Sequence, residues 1–352
     1  MTWPVPIERK TERMFPRPLS GRIERHPFPS RVLQDNPLGD PADRELPVYI
    51  PPSGKTEGRP LLVLLSGYTG AGWMHFERSR WLNETRVVLL DRLIRAGRLA
   101  ESVLVAPDCL TTLGGSQYLN STATGQYEDY LVQEILPWVR EKYHTGPMGV
   151  LGTSSGGYGA LVMGLRHPDL FPAVASNAGD CYFEYGYLPE FPIDAREIRR
   201  SGGPDKFLAR IFEQPISDFG PRNPLAITLE QVAYASCYSP VEAEPGRFDL
   251  PFDLDSGELD LPVWARWLAW DPARMIETDR YREALRKLRY VYVDGGTRDE
   301  YFLDLGARVF AARAKRQGVT VDHQEFDGVH GDGGRRYEAM YTGVLRALGF
   351  PS

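Results

Sequence analysis

The chain has 352 residues, of which 42% are hydrophobic and 25% charged, enough to build one large domain with an insertion or two small ones. A net charge of −6, with no Lys/Arg cluster interleaved with aromatics, argues against nucleic acid as a partner. Three widely separated cysteines, Cys109, Cys181 and Cys237, exclude a disulfide scaffold, and with no apolar signal core and no run long enough for a membrane span the expectation is a cytoplasmic enzyme.

Residues 1–17, rich in proline and charge, read as an N-terminal arm. Strands are expected at 22–26 and 46–50, joined by a turn-rich segment, and at 61–65, whose unbroken Leu-Leu-Val-Leu-Leu suits a buried parallel strand. A helix over 86–98 and a strand over 102–106 establish a βαβ rhythm. An amphipathic helix over 127–143 follows, in which Pro137 is an awkward interior residue expected to kink it. Further strands are expected at 148–151, 171–176, 290–293 and 320–326. Roughly one hundred residues separate the strand at 171–176 from that at 290, too long for a plain connection, and read as a cap over an active site. The expected division is an arm at 1–17, a catalytic domain at 18–180 and 290–352, and a cap insertion at 181–289.

The chemistry is concentrated after the strand at 148–151. Gly152-Thr153-Ser154-Ser155-Gly156 leads from that strand into a helical stretch, the pattern of a nucleophile elbow, which needs small residues two before and two after the serine because the turn crowds neighbouring backbone. The pentapeptide alone is common by chance, and an ordinary glycine-rich turn is the competing reading; the strand–turn–helix setting favours the elbow. Ser154 is preferred over Ser155 as nucleophile because Thr153, not glycine, lies two residues before Ser155.

A serine nucleophile needs a histidine to take its proton and a carboxylate to orient that histidine, in the chain order serine, acid, histidine on such a fold. Only His323 and His330 lie downstream. His330 sits in a glycine-rich loop after a strand, as suits a base, whereas His323 falls inside the strand and reads as structural. Asp294, Asp299 and Glu300 compete as the acid. Asp294 ends a strand and reads as a turn cap, and Glu300 as an acidic residue in the first turn of the following helix. Asp299 lies one loop further on and is the choice. For the oxyanion, the backbone N–H of Ser155 supplies one donor and that of Tyr68, in Ser66-Gly67-Tyr68-Thr69-Gly70, the second. A phosphate-cradle reading of this loop fails for want of a Gly-Lys-Ser/Thr ending.

Four segments together, Leu64-Leu65-Ser66-Gly67-Tyr68-Thr69-Gly70, Gly152 through Leu161, Asp294 through Asp299, and Glu325 through His330, resemble the serine esterase branch of the α/β-hydrolase superfamily. That branch includes S-formylglutathione hydrolases, enterochelin and feruloyl esterases and mycolyltransferases. The resemblance spans roughly residues 20–350. It implies an α/β-hydrolase fold, a mostly parallel central sheet flanked by helices, and it supports Asp299 as the second aspartate of an Asp-x-Gly-x-x-Asp segment. Two departures stand out: Ser66-Gly67 replaces a His-Gly, and Ser155 replaces a methionine after the nucleophile.

The expected activity is hydrolysis of carboxylic esters, small or aromatic, through a Ser-His-Asp triad and an acyl-enzyme. Alternatives are an acyltransferase with the same triad, or a silent binding protein on this scaffold. Neither cofactor nor metal is expected, His and Cys never falling at ligand spacing. Within the cap, Tyr182, Phe183, Tyr185 and Tyr187 are the expected substrate contacts, because they leave a strand at the catalytic edge of the sheet. Trp264, Trp267 and Trp270, spaced by three, read as one helix face packed on the main domain, with an aromatic substrate wall as the competing reading.

Overall fold

A computed structural model describes residues 18–77, 84–213 and 223–351. The expected N-terminal arm lies outside the described residues. Ten strands are present among them: β1 (Arg22–Pro29), β2 (Asp43–Ile50), β3 (Leu61–Leu65), β4 (Val103–Val105), β5 (Asn120–Ser121), β6 (Gly125–Gln126), β7 (Met148–Thr153), β8 (Ala173–Asn177), β9 (Tyr290–Gly296) and β10 (Asp322–Phe326). Eight form one sheet in the order β1-β2-β4-β3-β7-β8-β9-β10, and β5 and β6 make a separate short ribbon. Only β2 runs against its neighbours; β4, β3, β7, β8, β9 and β10 are parallel throughout.

Alternation along the strands feeds two cores. Leu61, Val63 and Leu65 of β3, with Val150, Val174 and Val291, pack against the helix Ser155–Arg166 on one face. Leu62 and Leu64, with Leu151, Ala175 and Tyr292, pack on the other against Leu90 and Leu93 of the helix Arg86–Arg95 and Met340, Tyr341 and Val344 of the helix Tyr337–Ala347. Both faces being covered explains why these strands read as continuous apolar runs.

Pro137 does not break the helical path. Residues Tyr130–Ile135 form a π-helical turn in which the Leu136 N–H donates to the Leu131 carbonyl, and the α-helix Leu136–Tyr143 restarts with Pro137 in its first turn. The wider turn places the proline where no intrahelical N–H is required.

Between β8 and β9 the regular elements among the described residues are helices, the longest being Phe191–Ser201, Pro204–Glu213 and Pro224–Tyr238. Asn223 caps the last of these by accepting from the Leu225 N–H, with Pro224 behind it. These helices share the main core: Trp267, fully buried, meets Tyr187 and Tyr238, and Tyr238 in turn meets Tyr158 of the helix after β7. Trp264 is also buried there, as its spacing from Trp267 predicts.

Candidate active site

Because the six strands are parallel, the segments leaving their C-terminal ends share one edge of the sheet. That edge collects Tyr68 after β3, Ser154 after β7, Asp180 after β8, Asp299 after β9 and His330 after β10. Tyr68, Ser154, Asp180 and His330 line a single cavity of about 210 Å³.

Ser154 follows β7 directly and precedes the helix Ser155–Arg166 with φ 58° and ψ −130°, a conformation uncommon for a residue with a Cβ. Such strain persists only where the surroundings enforce it. Here a Cβ on Gly156 would lie 2.2 Å from the Leu65 carbonyl oxygen, and one on Gly152 2.4 Å from the Gly156 carbonyl carbon. The Ser154 N–H donates to the Asn177 carbonyl at 3.0 Å. Beneath it, Thr153 Oγ1 donates to Asn177 Oδ1, and Asn177 Nδ2 donates to Asp294. Gly156→Ala is therefore expected to destabilise the fold by about 1–3 kcal/mol or more by overpacking. Gly331→Ala, where a Cβ meets nothing within 4 Å, should leave the urea midpoint nearly unchanged.

His330 Nδ1 lies 2.9 Å from Asp299 Oδ2, and the Asp299 side chain is fully buried. Asp299 Oδ1 accepts from the Tyr301 N–H at 2.9 Å, and the Tyr301 ring packs edge-on to the imidazole with centroids 5.0 Å apart. Burial disfavours the imidazolium, but the hydrogen bond and charge of Asp299, with Asp180 and Glu230 behind it, outweigh burial and hold the His330 pKa above its ordinary 6.5.

The other downstream candidates occupy different places. Asp294 caps no turn: it lies within β9, 1% exposed, accepting from Asn177, the Tyr292 hydroxyl and, at 3.0 Å, Arg336 Nε. Glu300 is not in the first turn of a helix, because Phe302 adopts a left-handed conformation and the helix begins at Leu303. Glu300 instead accepts the backbone N–H of His330 at 3.0 Å, fixing the loop that carries the histidine. His323 lies half-buried in β10 near Glu325.

The loop after β3 is held at several points. The Ser66 hydroxyl meets His75 Nε2 at 2.9 Å, and the Ser66 carbonyl accepts from the Tyr118 hydroxyl at 2.7 Å. Burial, and then the nearby Arg86 charge, push the His75 imidazole down to about 3, so it is neutral at pH 7. The Tyr68 hydroxyl donates to the Leu113 carbonyl, the Thr69 N–H to Gly114 and the Gly70 N–H to Gly67. These bonds commit the later amides of the turn and fix its approach to the elbow, where a Cβ on Gly67 would lie 3.3 Å from that of Ser154.

Of the four aromatic residues expected at the substrate, only Tyr187 lines the cavity. Residues Phe183–Gly186 form a helical turn, so Phe183 and Tyr187 fall on one face and point inward, with ring centroids 4.5 Å apart. Phe183 is 1% exposed in the core against Tyr158 and Tyr238. Tyr182 and Tyr185 pack on each other away from the cavity, Tyr182 under the Arg313 guanidinium and Tyr185 exposed.

The helix Pro224–Tyr238 supplies a wall that the sequence reading missed. Ala226, Ile227, Glu230, Gln231 and Tyr234 face the cavity, spaced so that they share one helix face. The available signal was a carboxylate and an amide within an otherwise apolar helix. The Tyr234 hydroxyl donates to Glu230 Oε1 at 2.6 Å and lies 3.2 Å from the Ser155 hydroxyl. Asp180 and Glu190 complete an acidic lining. Burial first, and then Glu230, push the Asp180 carboxyl up to about 7, and burial raises Glu190 and Glu230 as well.

A largely parallel eight-stranded sheet, covered by helices on both faces and carrying a strained serine at the end of β7, defines an α/β-hydrolase-fold protein. Residues 41–342 match the family model described as "Putative esterase", and the chain belongs to this family of carboxylic ester hydrolases. Among solved structures it is similar to a ferulic acid esterase, with 21% identity and a TM-score of 0.57 over 94% of this chain and 100% of that one. It is also similar to an S-formylglutathione hydrolase from Agrobacterium tumefaciens, at 15% identity and TM-score 0.61 over 94% and 97% of the two chains. A third similar structure is MPT51 (FbpC1) of Mycobacterium tuberculosis, at 16% and 0.53 over 93% and 99%.

Proposed function

We propose that the protein hydrolyses small carboxylic esters at Ser154, with His330 as general base and acid, Asp299 orienting the imidazole, and the Tyr68 and Ser155 amides binding the oxyanion. The reading rests on one observation above others: the strained Ser154 shares a cavity with a histidine whose far nitrogen is held at 2.9 Å by a buried carboxylate. With Nδ1–H bound to Asp299, Nε2 is left to accept the Ser154 proton as Oγ attacks the ester carbonyl. His330 then protonates the departing alcohol, and activates the water that cleaves the acyl-enzyme. Residues 181–289 act as a cap whose helix Pro224–Tyr238 and Tyr187 shape the substrate side of the cavity. A cavity of about 210 Å³ lies below the roughly 300–1,000 Å³ of drug-sized sites and favours small acyl or alcohol groups.

A screen of acyl-chain length against alcohol type, alongside labelling with a fluorophosphonate, tests this reading directly. Turnover of short esters with the adduct on Ser154 is expected; absence of both hydrolysis and labelling overturns it. In the same screen Tyr187→Ala should reorder substrates by kcat/KM, whereas Tyr185→Ala, on the exposed side, should keep the wild-type ranking. Reordering by Tyr185→Ala alone would place the pocket elsewhere.

The pH dependence follows from the His330 environment. The base must be neutral, so kcat/KM should rise with pH and level off only above the histidine pKa, which Asp299 holds above 6.5. A limb centred clearly below pH 6.5, with chemistry limiting, contradicts this assignment.

A further inference from the structure

The cavity beside Ser154 is built for a positive charge. Asp180 is 6% exposed, lines the cavity, and its Oδ2 is buried without a hydrogen-bond partner. Gln231, 4% exposed on the facing helix, likewise keeps Oε1 buried without a partner. Buried acceptors of this kind are normally satisfied, and two around one cavity leave room for a donor from outside the chain. Glu190 and Glu230 line the same space, so three carboxylates converge there. Among the described residues no Lys or Arg lines the cavity. Of the lining residues only His330 can carry a positive charge, and it must be neutral to act as a base. Burial raises all three carboxyls, with added repulsion from Glu230 at Asp180 and from Glu190 at Glu230, a condition that a bound cation would relieve. Tyr68, Tyr187, Tyr234 and Tyr301 form the aromatic part of the wall, with Tyr187 and Tyr234 centroids 4.9 Å apart and Tyr68 and Tyr234 6.0 Å apart, and aromatic faces also favour cations.

We propose that this pocket recognises a protonated amine on the ester substrate, with Asp180 accepting its N–H, Glu190 and Glu230 supplying charge, and the tyrosines enclosing its alkyl groups. The inference rests on Ser154 being the nucleophile of the same cavity. It concerns what the ester carries and not the bond that is cut.

Matched esters test it. 2-(Dimethylamino)ethyl butanoate and 3-methylbutyl butanoate have nearly the same shape and differ in one positive charge on the alcohol side; methyl 4-(dimethylamino)butanoate and methyl 5-methylhexanoate do the same on the acyl side. At pH 8 the cationic member of at least one pair should have the higher kcat/KM by about tenfold or more, the scale of a hydrogen bond to a charged group. Whichever pair responds identifies the side that enters the pocket. Asp180→Asn should bring that ratio toward one. A parallel loss on both esters with the ratio kept assigns Asp180 to packing and overturns the proposal. Ratios near one in both pairs for the wild type overturn it too, as does preference for a sugar ester over both members, which would assign the orphaned acceptors to hydroxyl donors. Protection of Ser154 from a fluorophosphonate separates this inference from the esterase reading: 2-(dimethylamino)ethanol should slow labelling more than 3-methylbutanol. Equal effects on a Ser154 that does label overturn the amine pocket while leaving the nucleophile intact.

Discussion

Ser154→Ala is expected to lower kcat on the order of 10³-fold or more, while Ser155→Ala retains most of it. Removing the Ser154 hydroxyl forfeits the covalent route and leaves only binding and oxyanion stabilisation. In the proposed mechanism Ser155 contributes only its N–H, which alanine keeps. Its hydroxyl meets the Tyr234 hydroxyl at 3.2 Å, a neutral contact that Tyr234 can spare because it also donates to Glu230. The expected cost of losing such a bond is about 0.5–1.5 kcal/mol, in stability more than in turnover. Circular dichroism establishes folding of both variants, and mass spectrometry after fluorophosphonate treatment locates the adduct. An active Ser154→Ala enzyme with the adduct on Ser155 would put the elbow one residue out of register.

Asp299→Asn should cost on the order of 10⁴-fold in kcat while the protein still folds. The amide oxygen can keep the Tyr301 N–H that Asp299 Oδ1 now accepts, but an amide nitrogen facing His330 Nδ1 favours the tautomer with Nε2 protonated, which cannot accept the Ser154 proton. The same substitution removes the largest influence raising the His330 pKa, so the limb of the residual activity should move to lower pH. A loss below about tenfold, or a limb that stays in place, would remove Asp299 from the mechanism. Glu300→Gln is the informative contrast. Glu300 accepts the His330 backbone N–H, and glutamine retains an acceptor there, so the substitution should leave the pH limb where it is.

Much of this site was legible as residue order and chemical type. Gly152, Ser154 and Gly156 announce a turn too crowded for side chains, and the serine–acid–histidine order limited the base to two residues. Those features are local, because a strand, a turn and a glycine requirement depend on neighbours within a few positions. Pro137 marks the boundary of such reasoning. Its clash with a plain α-helix is local, but the π-turn that relieves it had no separate signal.

Chain order alone determined that a parallel sheet, a crowded strand–turn–helix and two downstream loops exist, and it offered Ser154, Asp299 and His330 as candidates from among their neighbours. Tertiary structure decided what encloses them. Between β8 and β9, only packing settled that Phe183 and Tyr187 face inward while Tyr182 and Tyr185 do not. Asp180, Glu230 and Gln231 are separated by up to 51 residues, and their convergence comes from the helix Pro224–Tyr238 lying over the C-terminal edge of the sheet. Strands carry their chemistry to that edge by geometry common to all parallel sheets, whereas the placement of an inserted helix depends on contacts with Tyr158, Tyr187 and Trp267, side chains distant in sequence.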